Sequence, residues 1–274
     1  EAMPSAGYDT NGTEYTTVED MWKVELEEKE KDSDKPAWYA KGITYWEGVD
    51  ASVDGVLGGY GRVSATDAKD SREFIQEVVL SAEAQAEAAA GKRSLVALDC
   101  GAGVGRVTEQ TLLPHFTEVD LLEPCAHFLD KARENLSEAA AAGGGRKRAQ
   151  PAALGRAVSF FQEPLEDFTP AEGRYDVIWI QWCVGHLTDA DFLAFVERNR
   201  RGLKPGGVFV VKENNCAASS KFVVDKEDSS VTRSHAHFCE LFEKANLDVA
   251  NVRVQKNFPK ELFTVRAYLL RPRT

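Results

Sequence analysis

The run Asp99-Cys100-Gly101-Ala102-Gly103-Val104-Gly105-Arg106 follows directly on a short apolar stretch, Leu95–Cys100. Glycines spaced this way let the backbone turn tightly and approach a ligand closely, as nucleotide and phosphate cradles require. The dinucleotide fingerprint would put a third glycine where Arg106 stands, and no Lys-Ser/Thr ending marks a phosphate loop. Further on, Glu123 closes a second apolar stretch, a position from which a carboxylate accepts hydrogen bonds from ribose hydroxyls. His235 and His237 alternate without companion ligands, so no metal is expected. The five cysteines show no CxxC pair and no visible His–Asp context, which predicts free thiols in a reducing, cytoplasmic or nuclear compartment.

The bulk properties narrow the partners. With 44 acidic and 33 basic residues, the 274-residue chain carries a formal charge of −11 and a pI near 5.1. Nucleic acid and anionic membrane repel such a protein, whereas a basic substrate does not. The longest stretch free of Asp, Glu, Lys and Arg, Val177 to Thr188, is too short to span a bilayer. No charged-then-apolar secretory signal opens the sequence.

The elements that must hold these residues alternate between strand and helix. Strands are expected at Leu95–Cys100, Glu118–Pro124, Ala157–Gln162, Tyr175–Trp182 and Gly207–Asn214, then near Leu247–Val254 and Phe263–Leu269. Helices are expected through Leu113, over AHFLDKARENL and DFLAFVERNRRGL, and near His235–Ala245. Thr188 could cap the helix that includes Asp191. Near-continuous apolar strands in this alternation imply an α/β fold with a parallel sheet covered on both faces. Ligands then sit beyond the carboxyl ends of the strands. Ala139–Gly155 reads as a flexible surface insert whose Arg146-Lys147-Arg148 cluster is solvated. Residues 1–36 read as a polar arm, a solvated helix or mobile segment in which Glu25 and Lys29, and Glu27 and Lys31, have favourable helical spacing. Residues 37–93 form a helical elaboration before the main domain (37–274), with Phe74, Val78 and Leu80 of SREFIQEVVL near one face.

The glycine turn, the acidic end of the second strand and the LKPGG lead-in to the fifth (Leu203–Gly207) resemble class I S-adenosylmethionine-dependent methyltransferases. More specifically, the sequence is similar to the protein α-N-terminal methyltransferases, which methylate the α-amine of proteins beginning Xaa-Pro-Lys or Xaa-Pro-Arg. The matching stretches are TYW (Thr44–Trp46), VDGVLGGYG (Val53–Gly61), LDCGAGVGRVT (Leu98–Thr108), YDVIWIQWCVGHLTD (Tyr175–Asp189), LKPGGVFVVKEN and DSSVTR (Asp228–Arg233). They lie between Trp38 and the C-terminus, leaving out the arm and the insert.

The resemblance implies a Rossmann-like, seven-stranded, mainly parallel sheet with an N-terminal lid. It also implies S-adenosylmethionine as cofactor and S-adenosylhomocysteine as product. Gly101 and Arg106 would hold the methionine end, with Gly103, Gly105, Pro124 and Cys125 around the cofactor. Glu123 would take the ribose, Leu165 and Glu166 the adenine side, and Gln181 the end of the fourth strand. Trp182 would offer a flat wall to the substrate's proline, Asn214 a hydrogen bond to its first residue, and Tyr45 and Leu57 the entrance. Asp225 and Asp228, with Ser230, would receive the basic third residue. Asp228 and His186 would serve as base, with Asn214 orienting the amine. Two positions depart from the family: Glu123 stands where Asp is usual, and Lys226 where a second Asp is usual. A small-molecule amine methyltransferase, or a non-catalytic cofactor-binding adaptor, are the alternatives that the residues alone leave open.

Overall fold

The structure is a computed structural model describing residues 6–30, 36–141 and 154–273. Residues 142–153, and with them the Arg146-Lys147-Arg148 cluster and most of the expected insert, lie outside the described residues. From the amino end the chain forms strands β1 (Gly7–Asp9) and β2 (Glu14–Tyr15) and helix α1 (Val18–Glu25). Helices α2 (Ala37–Glu47), α3 (Ser64–Phe74) and α4 (Ala82–Ala89) follow. The alternating part comprises β3 (Val96–Cys100), β4 (Glu118–Leu122), α5 (Ala126–Ala141), β5 (Arg156–Phe161), β6 (Tyr175–Gln181), α6 (Asp189–Arg200) and β7 (Leu203–Asn215). Then come β8 (Phe222–Asp225), β9 (Ser230–Arg233), α7 (His235–Lys244), β10 (Leu247–Val254) and β11 (Thr264–Pro272).

Seven strands make the main sheet in the order β10-β11-β7-β6-β3-β4-β5. The pairs from β7 through β5 are parallel, while β11 runs antiparallel to both its neighbours. Every residue of β3 is buried, as a central strand covered on both faces demands. One core layer contains Leu98, Ile178, Phe192, Phe209 and Phe242, and a second contains Leu95, Ala97, Val119, Leu121 and Trp179. From β3 the chain builds outward through β4 to β5, then returns to lay β6 on the other side of β3. The loops after β3 and β6 therefore leave the sheet in opposite directions, and this switch point opens a crevice at the carboxyl edge.

Local chemistry accounts for the element ends. The Thr188 hydroxyl accepts a hydrogen bond from the Asp191 amide at 3.0 Å, capping α6 as its sequence anticipates. The SREFIQEVVL helix begins earlier than its apolar spacing indicates, at Ser64, because the preceding SATDAKD is buried through Asp67, Ala68 and Asp70 rather than exposed. It ends in a π-helical turn, Ile75–Val79, with Phe74, Ile75 and Leu80 inside the core.

Within the arm, the described residues 6–30 correct the expectation of a solvated or mobile segment, while Lys31, and with it the expected Glu27–Lys31 spacing, lies outside the described residues. β1 adds to β8 in parallel, making a second sheet of order β2-β1-β8-β9. Tyr15 and Met21 pack with Trp38, Phe222, Val224 and Val231 in a small core of their own. The helix stops at Glu25, so Glu25 does not pair along a helix with Lys29; it meets Lys226 instead. The VVDKEDSS stretch (223–230) joins β8 to β9 in an antiparallel hairpin.

A buried polar knot joins the lid to the sheet. Asp67 of α3 accepts from Arg106 Nη1 at 2.7 Å, Lys212 Nζ at 2.6 Å and Gln181 Nε2 at 2.9 Å, and all four side chains are buried. Lys212 Nζ also donates to Ser71 Oγ and Gln255 Oε1. Burial pushes the Asp67 carboxyl up, but the Lys212 and Arg106 charges outweigh that push and hold it below the usual carboxylate range. The stability this provides is present at neutral pH and is lost as pH falls through that lowered value. Asp67→Asn, which strands two buried cations, should cost about 3–5 kcal/mol. A urea melt at pH 7 checks this: an unchanged midpoint would mean that the knot contributes nothing.

Candidate active site

The turn after β3 needs its glycines for distinct reasons. Gly101 has φ +64°, and a Cβ there would lie 2.4 Å from the Cys183 Cβ. Gly105, at φ +79°, instead makes room for α5, since a Cβ would press on Ala132 and Leu136. Gly103 turns its amide to Glu123 Oε2 at 2.9 Å, and the Cys125 amide donates to Oε1 at the same distance. The longer side chain at position 123 thus lies across the floor of the crevice, tied to the two loops that form it. Burial pushes its carboxyl up, opposed by those amide hydrogen bonds.

The crevice opens to solvent and holds a cavity of about 150 Å³. Gly101, Gly103, Arg106, Glu123, Pro124, Cys125, Leu165, Glu166, Gln181, Leu57, Trp182 and His186 line it together. Gly105, Tyr45, Asn214, Asp225, Asp228 and Ser230 stand outside this lining. Arg106, with Nη1 held by Asp67, also lies over the Trp182 ring at 5.4 Å. Gln181 spends its amide on structure, accepting from Trp179 Nε1 at 3.0 Å and donating to Asp67. Leu165 and Glu166 are braced from behind by Arg198, which donates to their carbonyl oxygens at 3.1 and 2.6 Å.

The other end is built by the loop after β6. Trp182 adopts φ +55°, a conformation bulky residues rarely tolerate. The strained turn leaves its ring between Arg106 and Phe258, 6.4 Å from the latter, with Nε1 buried and unpartnered. His186 is gripped on three sides. Trp38 Nε1 donates to its carbonyl at 2.7 Å, and Trp46 Nε1 donates to Nε2 at 3.0 Å. Its Nδ1 lies 3.0 Å from the Ser229 carbonyl. An indole N–H only donates and a carbonyl only accepts, so the ring is the neutral Nδ1–H tautomer. Both nitrogens are therefore engaged, and the lone pair a base would use is occupied by Trp46.

Asp228 lies beside this clamp. Its Oδ1 accepts from Ser230 Oγ at 2.6 Å, and its backbone carbonyl lies against Gly42 of α2. Burial raises its carboxyl above the usual range, the Ser230 hydrogen bond opposes this, and Asp225 adds to it. Tyr45 feels the same cluster: burial raises its hydroxyl, and Glu227, Asp228 and Asp225 raise it further. The lid thus faces a concentrated negative field, to which Glu227 contributes. Asn214 is half-buried near the end of β7, paired in register with Val265.

Trp38, Trp46, Phe128, Pro164 and Ser229 also line the crevice. The aromatic density of WYAKGITYW was a usable signal for the two tryptophans. Asp67 had none, because a charged residue in a polar helix gives no hint of burial.

The parts suit S-adenosylmethionine. Arg106 offers a guanidinium for its carboxylate, Glu123 a carboxylate for its ribose, and Leu165, Pro164 and Phe128 an apolar slot for a base. A parallel sheet of this order, with a glycine turn and an acidic β4 end at the switch point, defines a class I S-adenosylmethionine-dependent methyltransferase. The chain matches the AdoMet-dependent proline di-methyltransferase family over residues 34–271 and belongs to it. It is 48% identical to alpha N-terminal protein methyltransferase 1 of Arabidopsis thaliana, over 98% of this chain and 91% of that one. It is 41% identical to N-terminal Xaa-Pro-Lys N-methyltransferase 1 of Danio rerio, over 87% and 97% respectively. Among solved structures, a Leishmania major S-adenosylmethionine-dependent methyltransferase superposes with TM-score 0.80 at 36% identity, covering 99% of this chain and 98% of that one.

Arg106→Lys keeps a cation beside Asp67 but loses the planar fork. It should weaken S-adenosylmethionine binding about 10-fold or more by calorimetry. Trp46→Phe, which removes the donor to His186, should lower kcat/KM about 2–10-fold and leave cofactor affinity unchanged.

Proposed function

We propose that this enzyme transfers methyl groups from S-adenosylmethionine to the N-terminal α-amine of proteins beginning Xaa-Pro-Lys or Xaa-Pro-Arg. The observation that carries this reading is the acidic β8–β9 turn, whose carboxylates act on Tyr45 of the lid and whose Ser229 lines the same crevice as Trp182 and His186. The printed names of the relatives, which specify α-N-terminal and Xaa-Pro-Lys methylation, support it.

The cofactor supplies an electrophilic sulfonium methyl; the chain's own residues must deliver a neutral amine. An α-amine has a reference pKa near 7.7–8.0 against about 10.4 for Lys, which favours its neutral form by roughly 3 kcal/mol. Modest proton acceptance is then enough, and positioning supplies much of the rest. Asp228 takes the proton, its basicity raised by burial. His186 acts here as a strut that fixes Asp228's neighbour Ser229 and the lid tryptophans. Trp182 provides the flat surface for the second-residue proline, Asn214 orients the first residue, and Asp225 with Asp228 meets the third. Tyr45 and Leu57 flank the way in.

Mass spectrometry of Ser-Pro-Lys, Ser-Pro-Gln and acetylated Ser-Pro-Lys peptides tests the reading. Methylation of the first alone is expected. Reaction of the Gln peptide at an equal rate would remove the acidic-pocket assignment, and silence on all three would remove the substrate class. Asp228→Asn should cut kcat about 100-fold or more without changing cofactor affinity. In the unsubstituted enzyme, kcat should fall as pH drops through a carboxyl group raised above the ordinary range, and this acidic limb should vanish in the variant.

A further inference from the structure

The arm lies outside the stretch that matches the family, which begins at residue 34. It nevertheless forms part of the wall that carries the acidic turn. β1 follows β8 in the register Gly7↔Phe222 to Asp9↔Val224. Gly7 is pressed so closely that a Cβ would lie 2.5 Å from the Phe222 carbonyl oxygen. Thr10 continues the contact into the turn: its amide donates to Val224 O at 2.9 Å, and its hydroxyl accepts from the Lys226 amide at 3.2 Å.

The arm also reaches the turn through charge. The Glu25 side chain is only 4% exposed, and a carboxylate so enclosed needs compensating partners. It accepts from Lys226 Nζ at 2.5 Å and from the Tyr15 hydroxyl at 2.6 Å. Lys226 is the cation of the sequence Asp225-Lys226-Glu227-Asp228, adjacent to one substrate-facing carboxylate and two residues from the other. Unrestrained, its long side chain could fold over those carboxylates and compete with an incoming Lys or Arg. Bound to Glu25, it is committed to the arm, and Asp225, Glu227 and Asp228 keep their field, which is the field felt at Tyr45.

We propose that Glu25 is a specificity-determining positioning residue: by holding Lys226 it keeps that cation off Asp225 and Asp228, so that recognition of a basic third residue depends on the N-terminal arm. The proposal rests on the Xaa-Pro-Lys/Arg reading above.

The test measures kcat and KM for Ser-Pro-Lys and Ser-Pro-Gln peptides with the full chain, Glu25→Gln, and Glu25→Gln/Lys226→Gln. Glu25→Gln should raise KM for the Lys peptide about 3–10-fold, with kcat within about twofold and the Gln peptide unaffected. Removing the freed cation in the double variant should restore the preference. An unchanged preference in Glu25→Gln overturns the proposal. So does a double variant that stays impaired, because that result makes Glu25 a merely structural support of the arm. Lys226→Gln alone serves if Glu25→Gln does not fold: it should keep or sharpen the Lys preference, and loss of the preference would overturn the proposal. Failure of the substrate reading is seen separately, as an absence of Lys-over-Gln preference in the unsubstituted enzyme.

Discussion

A carboxylate sealed from water survives only where cations and donors come to it, and the Asp67 carboxylate is where this protein's parts are obliged to meet. Three donors reach it: Arg106 from the turn after β3, Gln181 from the end of β6 and Lys212 from β7. The first two come from the elements bordering the switch point of the sheet and the third from the strand next to β6, while Asp67 itself belongs to α3. Desolvating such a group is expensive, and the offset exists only in the assembled geometry. The lid is thereby coupled to the cofactor floor, and Arg106 presents its remaining edge to the crevice in a fixed orientation.

A second junction does for the substrate side what Asp67 does for the cofactor side, with neutral groups. His186 is held by two tryptophans of α2 and by the backbone of the β8–β9 turn. Because both ring nitrogens have partners of fixed polarity, the imidazole works as a spacer between lid and hairpin. The Asp228 carboxyl, in the same junction, is raised by burial. Geometry and basicity thus come from one packing arrangement, as positioned acid–base chemistry requires.

The charge distribution follows a similar division. A protein with formal charge −11 has acidic groups everywhere, so its net charge by itself marks no particular site for a cation. What matters is which carboxylates are compensated. Asp67 and Glu25 are paired with cations, while Asp225, Glu227 and Asp228 cluster near Tyr45. Lys226, which looks from the sequence like a dilution of the acidic pocket, is itself compensated by Glu25.

The sequence by itself determined the α/β class, most strand positions, the glycine turn with Glu123, and the cap at Thr188. These are local features: apolar runs, backbone freedom and side chains acting within three residues of themselves. The tertiary structure alone decided the roles of Asp67, Trp46 and the arm, and the engagement of both His186 nitrogens. Each depends on partners far away in the chain, such as Trp46 with His186, Asp67 with Lys212, and Glu25 with Lys226. A polar helix, an exposed-looking Glu-Lys spacing or a lone histidine reads the same whether its partner is water or a distant strand. Only packing, which removes the water, makes the difference.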